Sequence, residues 1–392
     1  MSRGNIDEIG EPDWRTLVAY LNNDSLADEN AEKYLTGLRR VLLQQASEGA
    51  PESPRLLPLL SGLAKFCADN EFVFAETREE LDRLAHLEPE RSPSHAALMR
   101  CYRAAPFAAL PISEIRQLRA PSDAISRAVQ SQYEENPYPR WTKLPIGPIN
   151  DDAQRILIAG CGTGRHALLN AQPSPRSQVV AIDLSRASLA YGLMKAREYG
   201  IRNVEFLQAD ILDVGLLGRK FDIVSSVGVL HHMDDPLAGL VALKSVMAPG
   251  ATLKFAVYAA PGRASILAAI ALRQRLGLPS TPQGIRQLRQ AILDLPADDA
   301  ARGVTAEKDF YSLSGCRDLV FHVKEHNYTV PKLAELIGQS QMKLVRFQVP
   351  AKVLSQFEQA GYRDPLDLRD WAAFEKRFPI TSETMYRASL AR

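Results

Sequence analysis

The stretch Ile156-Leu-Ile-Ala-Gly-Cys-Gly-Thr-Gly-Arg165 decides the fold of this chain. An apolar run typical of a buried strand leads directly into Gly160, Gly162 and Gly164, and a helix-compatible segment follows. Glycine at alternate positions lets the backbone turn sharply and approach a ligand closely, because no Cβ stands in the way. The N-terminal N–H groups of the next helix would point at that ligand. The pattern therefore predicts a strand, a binding turn and a helix.

A second apolar run, Val179-Val-Ala-Ile-Asp183, ends in a carboxylate that could accept two hydrogen bonds from a ribose. A dinucleotide site needs the spacing G-x-G-x-x-G, but Arg165 stands where its third glycine would be. A phosphate-binding loop needs Gly-Lys-Ser/Thr, which does not follow at this position. The pattern G-x-G-x-G with an acid ending the next strand resembles the class I S-adenosylmethionine (SAM) methyltransferases.

This resemblance implies an α/β fold with a Rossmann-like, seven-stranded class I methyltransferase sheet. From residue 155 onward, strand and helix signals alternate as a parallel sheet with crossover helices requires. The helical signals lie at 186–199 and 235–247, and a later helix opens near Thr329 and Pro331. The predicted strands are 155–159, 178–182, 204–207, 221–226, 251–257, 343–349 and 384–390.

The chain divides by pattern into three parts. Apolar residues at helical spacing over residues 13–87 predict an N-terminal all-helical domain at 1–125. Residues 126–150 form a linker or lid segment, whose prolines forbid a continuous helix. The SAM-binding methyltransferase domain takes 151–392, with a helical substrate cover inserted at 259–330, after the fifth strand.

The resemblance assigns the cofactor site residue by residue. Asp183 would bind the ribose hydroxyls, and Asp210 with Ile211 would hold the adenine, because a carboxylate accepts from the exocyclic amine. Asp210 could instead cap the following turn. Tyr133 belongs to an aromatic lid suited to a positive sulfonium, or to a linker that only docks on the core. The full expected cofactor set is Gly160, Cys161, Gly162, Gly164, Asp183, Leu184, Asp210, Ile211, Val227 and Tyr133.

The residues expected to contact the methyl acceptor form a less specific pattern than the cofactor set. His231 and His232 follow the fourth strand, where a neutral imidazole could orient an acceptor or remove its proton. The alternative is that both only shape the loop. With Tyr258, these two histidines form the predicted catalytic set. The predicted substrate contacts are Tyr138, Arg140, Tyr311, His322 and His326.

The segment His322-Val-Lys-Glu-His326 matches the H-x-x-E-H spelling of one metallopeptidase class. On a helix, His322 and His326 would share a face beside Glu325, but a catalytic zinc site needs a third ligand from elsewhere. We therefore weigh a zinc peptidase as an alternative, favour polar lining of the acceptor site, and predict no metal.

Composition narrows the partners and compartment. Lys and Arg total 47 against 46 Asp and Glu, so no global charge attracts nucleic acid, and nucleic acid is not the expected partner. The first residues do not resemble a signal peptide, and no apolar run is long enough to span a bilayer. Four widely spaced cysteines fit reduced thiols. These features predict a cytoplasmic protein without membrane association; the oligomeric state is left open.

Longer motifs point to a narrower group. Tyr133–Trp141, Phe310–His326 and Asn70–Phe74 resemble the bacterial methyltransferase modules often fused to tetratricopeptide repeats, although no such repeat is detectable in this sequence. The sequence thus predicts a SAM-dependent methyltransferase that acts on an unidentified small-molecule or protein side-chain acceptor. The alternative from another class is a catalytically inactive SAM-fold scaffold for protein interaction.

Overall fold

The computed structural model describes residues 11–22, 29–50, 53–103, 110–121, 123–135, 137–378 and 384–392. The chain forms two compact units. One, which we call the helical unit, contains Met1–Ala108 and Ser265–Phe321. The other, the sheet unit, contains Ala109–Ala264 and His322–Arg392. Among the described segments, no helix combines the length and the apolar character needed to cross a bilayer.

Helices dominate the N-terminal part of the chain, and strands alternate with helices from Arg155 onward. The helices are α1 (Glu11–Asn22), α2 (Glu29–Ser47), α3 (Leu56–Asp69), α4 (Arg78–Ala85), α5 (Pro93–Arg100), α6 (Ala124–Glu135), α7 (Arg165–Ala171), α8 (Arg186–Glu198), α9 (Pro236–Ser245), α10 (Ala264–Arg275), α11 (Pro282–Leu293), α12 (Leu313–Phe321), α13 (Val330–Gln339), α14 (Ala351–Gln359) and α15 (Leu368–Arg377). The strands are β1 (Arg116–Gln117), β2 (Arg155–Ala159), β3 (Gln178–Asp183), β4 (Val204–Gln208), β5 (Phe221–Val227), β6 (Met247–Tyr258), β7 (Lys343–Gln348) and β8 (Met385–Ala391).

The helical unit combines the N-terminal helices with the insertion that was predicted as a substrate cover. Apolar residues of α10, α11 and α12, such as Ile266, Ile285 and Val320, belong to the same buried cluster as those of α1–α5. Arg289 of α11 donates to both carboxylate oxygens of Glu32 on α2, at 3.1 and 2.6 Å. The boundaries at 125 and 259–330 therefore differ from those in the structure, because the insertion buries its apolar faces with the N-terminal helices.

The sheet unit has the strand order β1-β4-β3-β2-β5-β6-β8-β7. All neighbouring strands run parallel except β8, which pairs antiparallel with both β6 and β7. The Rossmann-like α/β prediction is confirmed, but the count of seven strands is wrong. The eighth strand is β1, where Arg116 and Gln117 pair with the end of β4. Two exposed residues carry no detectable periodicity, so this strand left no signal in the sequence.

The central strands carry the predicted apolar runs. Residues 156–159 of β2 and 179–182 of β3 are buried, as parallel strands covered by helices on both faces must be. The order in which successive strands are added to the sheet reverses at β2. This strand pairs with β3 on one side and with β5 on the other. Ligands of open α/β sheets bind beyond the carboxyl ends of the strands at such a reversal. The ends of β2, β3 and β5 therefore define where the site lies.

Candidate functional site

The glycine-rich turn leaves β2 in left-handed backbone conformations. Gly160, Gly162 and Gly164 have φ angles of +74°, +52° and +81°, which a side chain rarely tolerates. A Cβ on Gly160 would lie 2.3 Å from Val229 Cγ2, and one on Gly162 would lie 2.8 Å from the carbonyl oxygen of Tyr138. The glycines are therefore required by close packing within the protein. The sequence predicts that these glycines leave room for a ligand, whereas the Cβ positions at Gly160 and Gly162 point at protein atoms.

Asp183 ends β3 beside this turn. Its carboxylate accepts hydrogen bonds from the backbone N–H groups of Gly162, at 2.8 Å, and Ser185, at 3.0 Å. Burial raises the pKa of this carboxyl above its usual range, the amide donors oppose that effect, and the nearby Glu134 adds to it. A carboxylate has four lone-pair positions, so two remain for hydroxyl donors. Asp183 thus both orders the turn and keeps capacity for a ribose.

The remaining expected cofactor residues lie at neighbouring strand ends. Asp210 accepts from the Leu212 N–H at 2.9 Å and so caps the following turn, which is the local role weighed against adenine binding. Ile211 is buried in the core, and Val227 ends β5 with a side chain that is 38% exposed. Cys161 is buried, and burial raises the pKa of its thiol well above the ordinary value. Its thiol is therefore a packing group.

The predicted lid segment lies against the glycine-rich turn. The Thr163 hydroxyl donates to the carbonyl of Pro139, which follows Tyr138 through a cis peptide bond. Trp141 is buried and donates its indole N–H to the carbonyl of Thr163 at 3.2 Å. The docking alternative is what these contacts show: Trp141 docks on the core, and the backbone of Tyr138 lies against Gly162 of the turn. Arg140 lies between them, partly exposed.

The predicted catalytic residues form a buried ring stack. The ring of His231 stacks on that of Tyr258, with centroids 3.7 Å apart, and the guanidinium of Arg263 lies 3.6 Å from the centroid of the Tyr258 ring. Arg263 also makes a bidentate ion pair with Glu325, at 3.1 and 2.7 Å. His231 is fully buried, and neither of its ring nitrogens has a partner among the described residues. Burial, then the charge of Arg263, lowers its pKa far below the ordinary value.

His232 makes a second stack. Its ring lies 3.5 Å from the ring of His322, and the rings of His322 and Tyr133 have centroids 6.0 Å apart. The Nδ1 atoms of His232 and His322 both lie 2.8 Å from the carbonyl oxygen of Lys324. Because a carbonyl only accepts, His232 donates from Nδ1, and its Nε2 is then an acceptor. Burial lowers the pKa of His322 to about 4, and burial also lowers the pKa of His232 well below its ordinary value.

The H-x-x-E-H segment is not a helix, so the basis of the zinc-peptidase alternative is wrong. Residues 322–327 have no regular secondary structure and run beside the turn after β5, with the His326 N–H donating to the carbonyl of His231 at 2.8 Å. The His326 ring nitrogen Nε2 lies 3.1 Å from the carbonyl oxygen of Met233 and points to that turn. Contacts with the 231–233 turn therefore determine the conformation of this segment, although its histidines have helical spacing.

Tyr311, another predicted substrate contact, belongs to the helical unit, where it is buried and donates its hydroxyl to the carbonyl of Thr305 at 2.8 Å. Two residues to which the sequence assigned no role lie at or beside the site residues. Arg263 lies over Tyr258 and pairs with Glu325, and Glu134 accepts from the amides of Arg186 and Ala187. Glu325 is 62 residues from Arg263, and Arg186 is 52 residues from Glu134, so no local pattern reports these two contacts.

Parts of this chain are similar in sequence to known proteins. Residues 156–250 match the family described as methyltransferase domain. An uncharacterized protein of a Synechococcus species is 36% identical over 202 residues, which cover 49% of this chain and 48% of that protein. The tRNA U34 carboxymethyltransferase of Methylococcus capsulatus is 33% identical over 127 residues, covering 32% and 38%. This chain thus spans about half the length, or less, of these curated relatives.

Among solved structures, PKMT2 from Rickettsia typhi in complex with AdoHcy aligns with a TM-score of 0.48 and 17% identity, over 68% of this chain and 52% of that chain. The family match covers β2 through the start of β6, and so includes the glycine-rich turn, Asp183, Asp210 and the two adjacent histidines. Residues 156–250, by the family match alone, are similar to a methyltransferase domain.

Proposed function

We propose that this chain transfers a methyl group from SAM to a small-molecule or protein side-chain acceptor. One observation carries the proposal. The Asp183 carboxylate lies at the end of β3, bonded to the glycine-rich turn, where the sheet order reverses and nucleosides bind in open α/β sheets. The residues present fit the cofactor, because Asp183 keeps free lone pairs and the backbone opens beside β5. There a Cβ on Gly228 would meet only Met385 Cε, at 3.7 Å.

Each residue of the expected cofactor set has a role in binding SAM. Asp183 accepts from the ribose hydroxyls, and Asp210 accepts from the adenine amine through the lone pairs that its capping bond leaves free. Tyr133 and the 137–141 segment cover the sulfonium, which aromatic faces attract. Gly160, Cys161, Gly162, Gly164, Leu184, Ile211 and Val227 line the same crevice through backbone or apolar contacts.

The cofactor supplies an electrophilic methyl group on a positive sulfur. The main task left to the protein is to align the acceptor atom with that methyl, since correct orientation supplies most of the rate in such a displacement. His232 can also hold a proton released by the acceptor, because its Nδ1 is committed to the Lys324 carbonyl and its Nε2 is an acceptor. His231 and Tyr258 act by packing against His232.

The buried part of the proposed acceptor side carries no net charge. Its three imidazoles are held neutral by burial, and the charge of Arg263 is balanced by Glu325. A neutral hydroxyl or amide-like acceptor fits these surroundings better than a phosphorylated one. Tyr138, Arg140, His322 and His326 remain the proposed substrate contacts. Four buried free thiols suit a reducing compartment, and the proposal includes a cytoplasmic location.

Titration calorimetry with SAM and adenosylhomocysteine tests the proposal. We expect saturable binding with a micromolar Kd, or roughly −7 to −8 kcal/mol. Transfer of a labelled methyl group to a fraction of a metabolite or peptide library would then identify the acceptor. The absence of binding, or binding of a nicotinamide dinucleotide instead, would overturn the assignment. The inactive-scaffold alternative gains no support from the site, since the turn glycines and Asp183 are all in place.

A further inference from the structure

Glu134, near the end of α6, caps the first turn of α8. Its Oε1 accepts from the backbone N–H of Arg186 at 2.7 Å, and its Oε2 accepts from that of Ala187 at 2.8 Å. These amides open the helix and have no acceptor within it. The positive end of the helix dipole further favours a carboxylate at this position. A single side chain therefore joins α6 to α8 with two charge-assisted hydrogen bonds.

Two more contacts join the same elements. The Ser185 hydroxyl donates to the carbonyl of Tyr133 at 3.1 Å, and the Gln130 amide donates to the carbonyl of Leu184 at 3.2 Å. Every residue from 184 to 187 is thus bonded to α6. This turn follows Asp183 directly, so the position of the acid depends on how α6 is seated.

The chain after α6 is attached at a second point. Pro139 and Trp141 are bonded to Thr163, which lies between the glycines of the β2 turn. Residues 130–135 are therefore fixed to the turn after Asp183, and residues 137–141 are fixed to the glycine-rich turn. The Asp183–Gly162 hydrogen bond joins these two turns directly.

We propose that Glu134 is a positioning residue that latches α6 and the 137–141 segment over the cofactor crevice, and so sets how long the cofactor stays bound. This inference rests on the proposed function. The role suits glutamate in particular, since its two oxygens accept from two amides at once, whereas glutamine offers one acceptor and no charge.

The experiment compares Glu134→Ala and Glu134→Gln with Glu135→Gln, a matched change at the neighbouring position of the same helix. The first measurement is hydrogen exchange of the cofactor-free protein at the amides of Arg186 and Ala187. We expect exchange to become about tenfold faster in Glu134→Ala, the factor that corresponds to one hydrogen bond to a charged group, and less so in Glu134→Gln. Glu135→Gln should exchange like the parent protein.

The second measurement is the dissociation rate of adenosylhomocysteine by stopped flow. We expect about tenfold faster release from Glu134→Ala, because the residues that cover the crevice must move before the cofactor can leave. A helix cap without a latching role would accelerate amide exchange and leave release unchanged, which would overturn the inference. Unchanged exchange at both amides would overturn it as well.

The two proposals fail in different ways. If the parent protein binds no adenosylhomocysteine, the proposed function is wrong and the effect on residence time falls with it. Amide exchange in the cofactor-free protein then still decides whether Glu134 holds α6 to α8. Circular dichroism of each variant checks that the fold is retained, and Glu134→Gln preserves the side-chain volume if Glu134→Ala is poorly folded.

Discussion

The Asp183 carboxylate and the Gly162 N–H are joined by a hydrogen bond of 2.8 Å. This bond links the end of β3 to the turn after β2, so the acid expected to bind the ribose also fixes the turn expected to hold the rest of the cofactor. Removal of the acid should therefore affect two things at once: the hydroxyl contacts and the shape of the crevice.

We expect Asp183→Ala to weaken SAM binding at least tenfold, because a hydrogen bond to a charged group is worth about 1.5–3 kcal/mol. Asp183→Asn should also weaken it, since the amide nitrogen cannot accept from Gly162 or from a hydroxyl. Calorimetry measures both, with Asp151→Asn, an exposed position outside the site, as the control. Equal affinity in the Asp183 variants and the parent would show that the nucleoside lies elsewhere.

A pair of glycines separates backbone strain from steric clash. Gly160 and Gly200 have φ angles of +74° and +67°, but only the first would place a Cβ against another group, Val229 at 2.3 Å. We expect Gly200→Ala to cost about 1–2 kcal/mol of unfolding free energy through the backbone alone. Gly160→Ala should cost more and should also weaken cofactor binding.

Adding Val229→Ala to Gly160→Ala removes the clashing methyl groups. Urea denaturation should then show that the double variant regains part of the lost unfolding free energy. Its remaining loss should be close to that of Gly200→Ala. If Gly160→Ala and Gly200→Ala destabilise the protein equally, the packing of Val229 on the turn is looser than the structure indicates.

The buried histidines predict how stability depends on pH. His322 has a pKa of about 4 in the folded protein against 6.5 in its ordinary state. Between these values the unfolded chain binds a proton that the folded chain does not, so stability falls as the pH drops from about 6.5 toward 4. His231 and His232, whose pKa values are lowered in the same direction, steepen this fall.

Chemical denaturation from pH 7.5 to 4.5 measures that slope, and His322→Gln should reduce it. The exposed His86, changed to Gln, is the control and should leave the slope as it is. A slope that His322→Gln does not alter would mean that the pKa of this ring is the same in the folded and unfolded protein.

The ion pair of Arg263 with Glu325 is nearly enclosed, with side chains 2% and 10% exposed. Arg263→Met leaves a buried carboxylate without its partner, and we expect a loss of about 3–5 kcal/mol of unfolding free energy. The double variant Arg263→Met/Glu325→Leu should lose less, because no charge is left unpaired. Arg155→Met breaks an exposed pair with Asp222 and should have a much smaller effect. A double variant less stable than the single one would refute the desolvation argument.

Much of the sheet could be predicted from the sequence, because its information is local. The apolar runs of β2 and β3, the glycines between them and Asp183 follow one another closely, and their spacing alone distinguished one nucleoside fold from others. The helix signals at 186–199 and 235–247 are confirmed by α8 and α9 for the same reason. Each element carries its own periodicity and its own termination signals.

The rest depends on contacts between distant residues. His322 and His326 have helical spacing, yet the carbonyl of Lys324 accepts from His232, more than 90 residues earlier, and the segment is not helical. The insertion at 265–321 joins the N-terminal helices because Arg289 and its apolar neighbours find their partners there. Glu134 bonds to the amides of Arg186 and Ala187, which follow both β2 and β3 in the chain.

The placement of β8 has a consequence for engineering this chain. The last strand in sequence lies between β6 and β7, so β7 is joined to the remainder of the sheet only through residues 385–391. Deleting those seven residues would expose two strand edges together, one on each side of the gap, and unprotected edges recruit strands from other molecules. A shortened form is thus expected to accumulate as aggregates, whereas an added C-terminal tag that spares Met385–Ala391 should be tolerated.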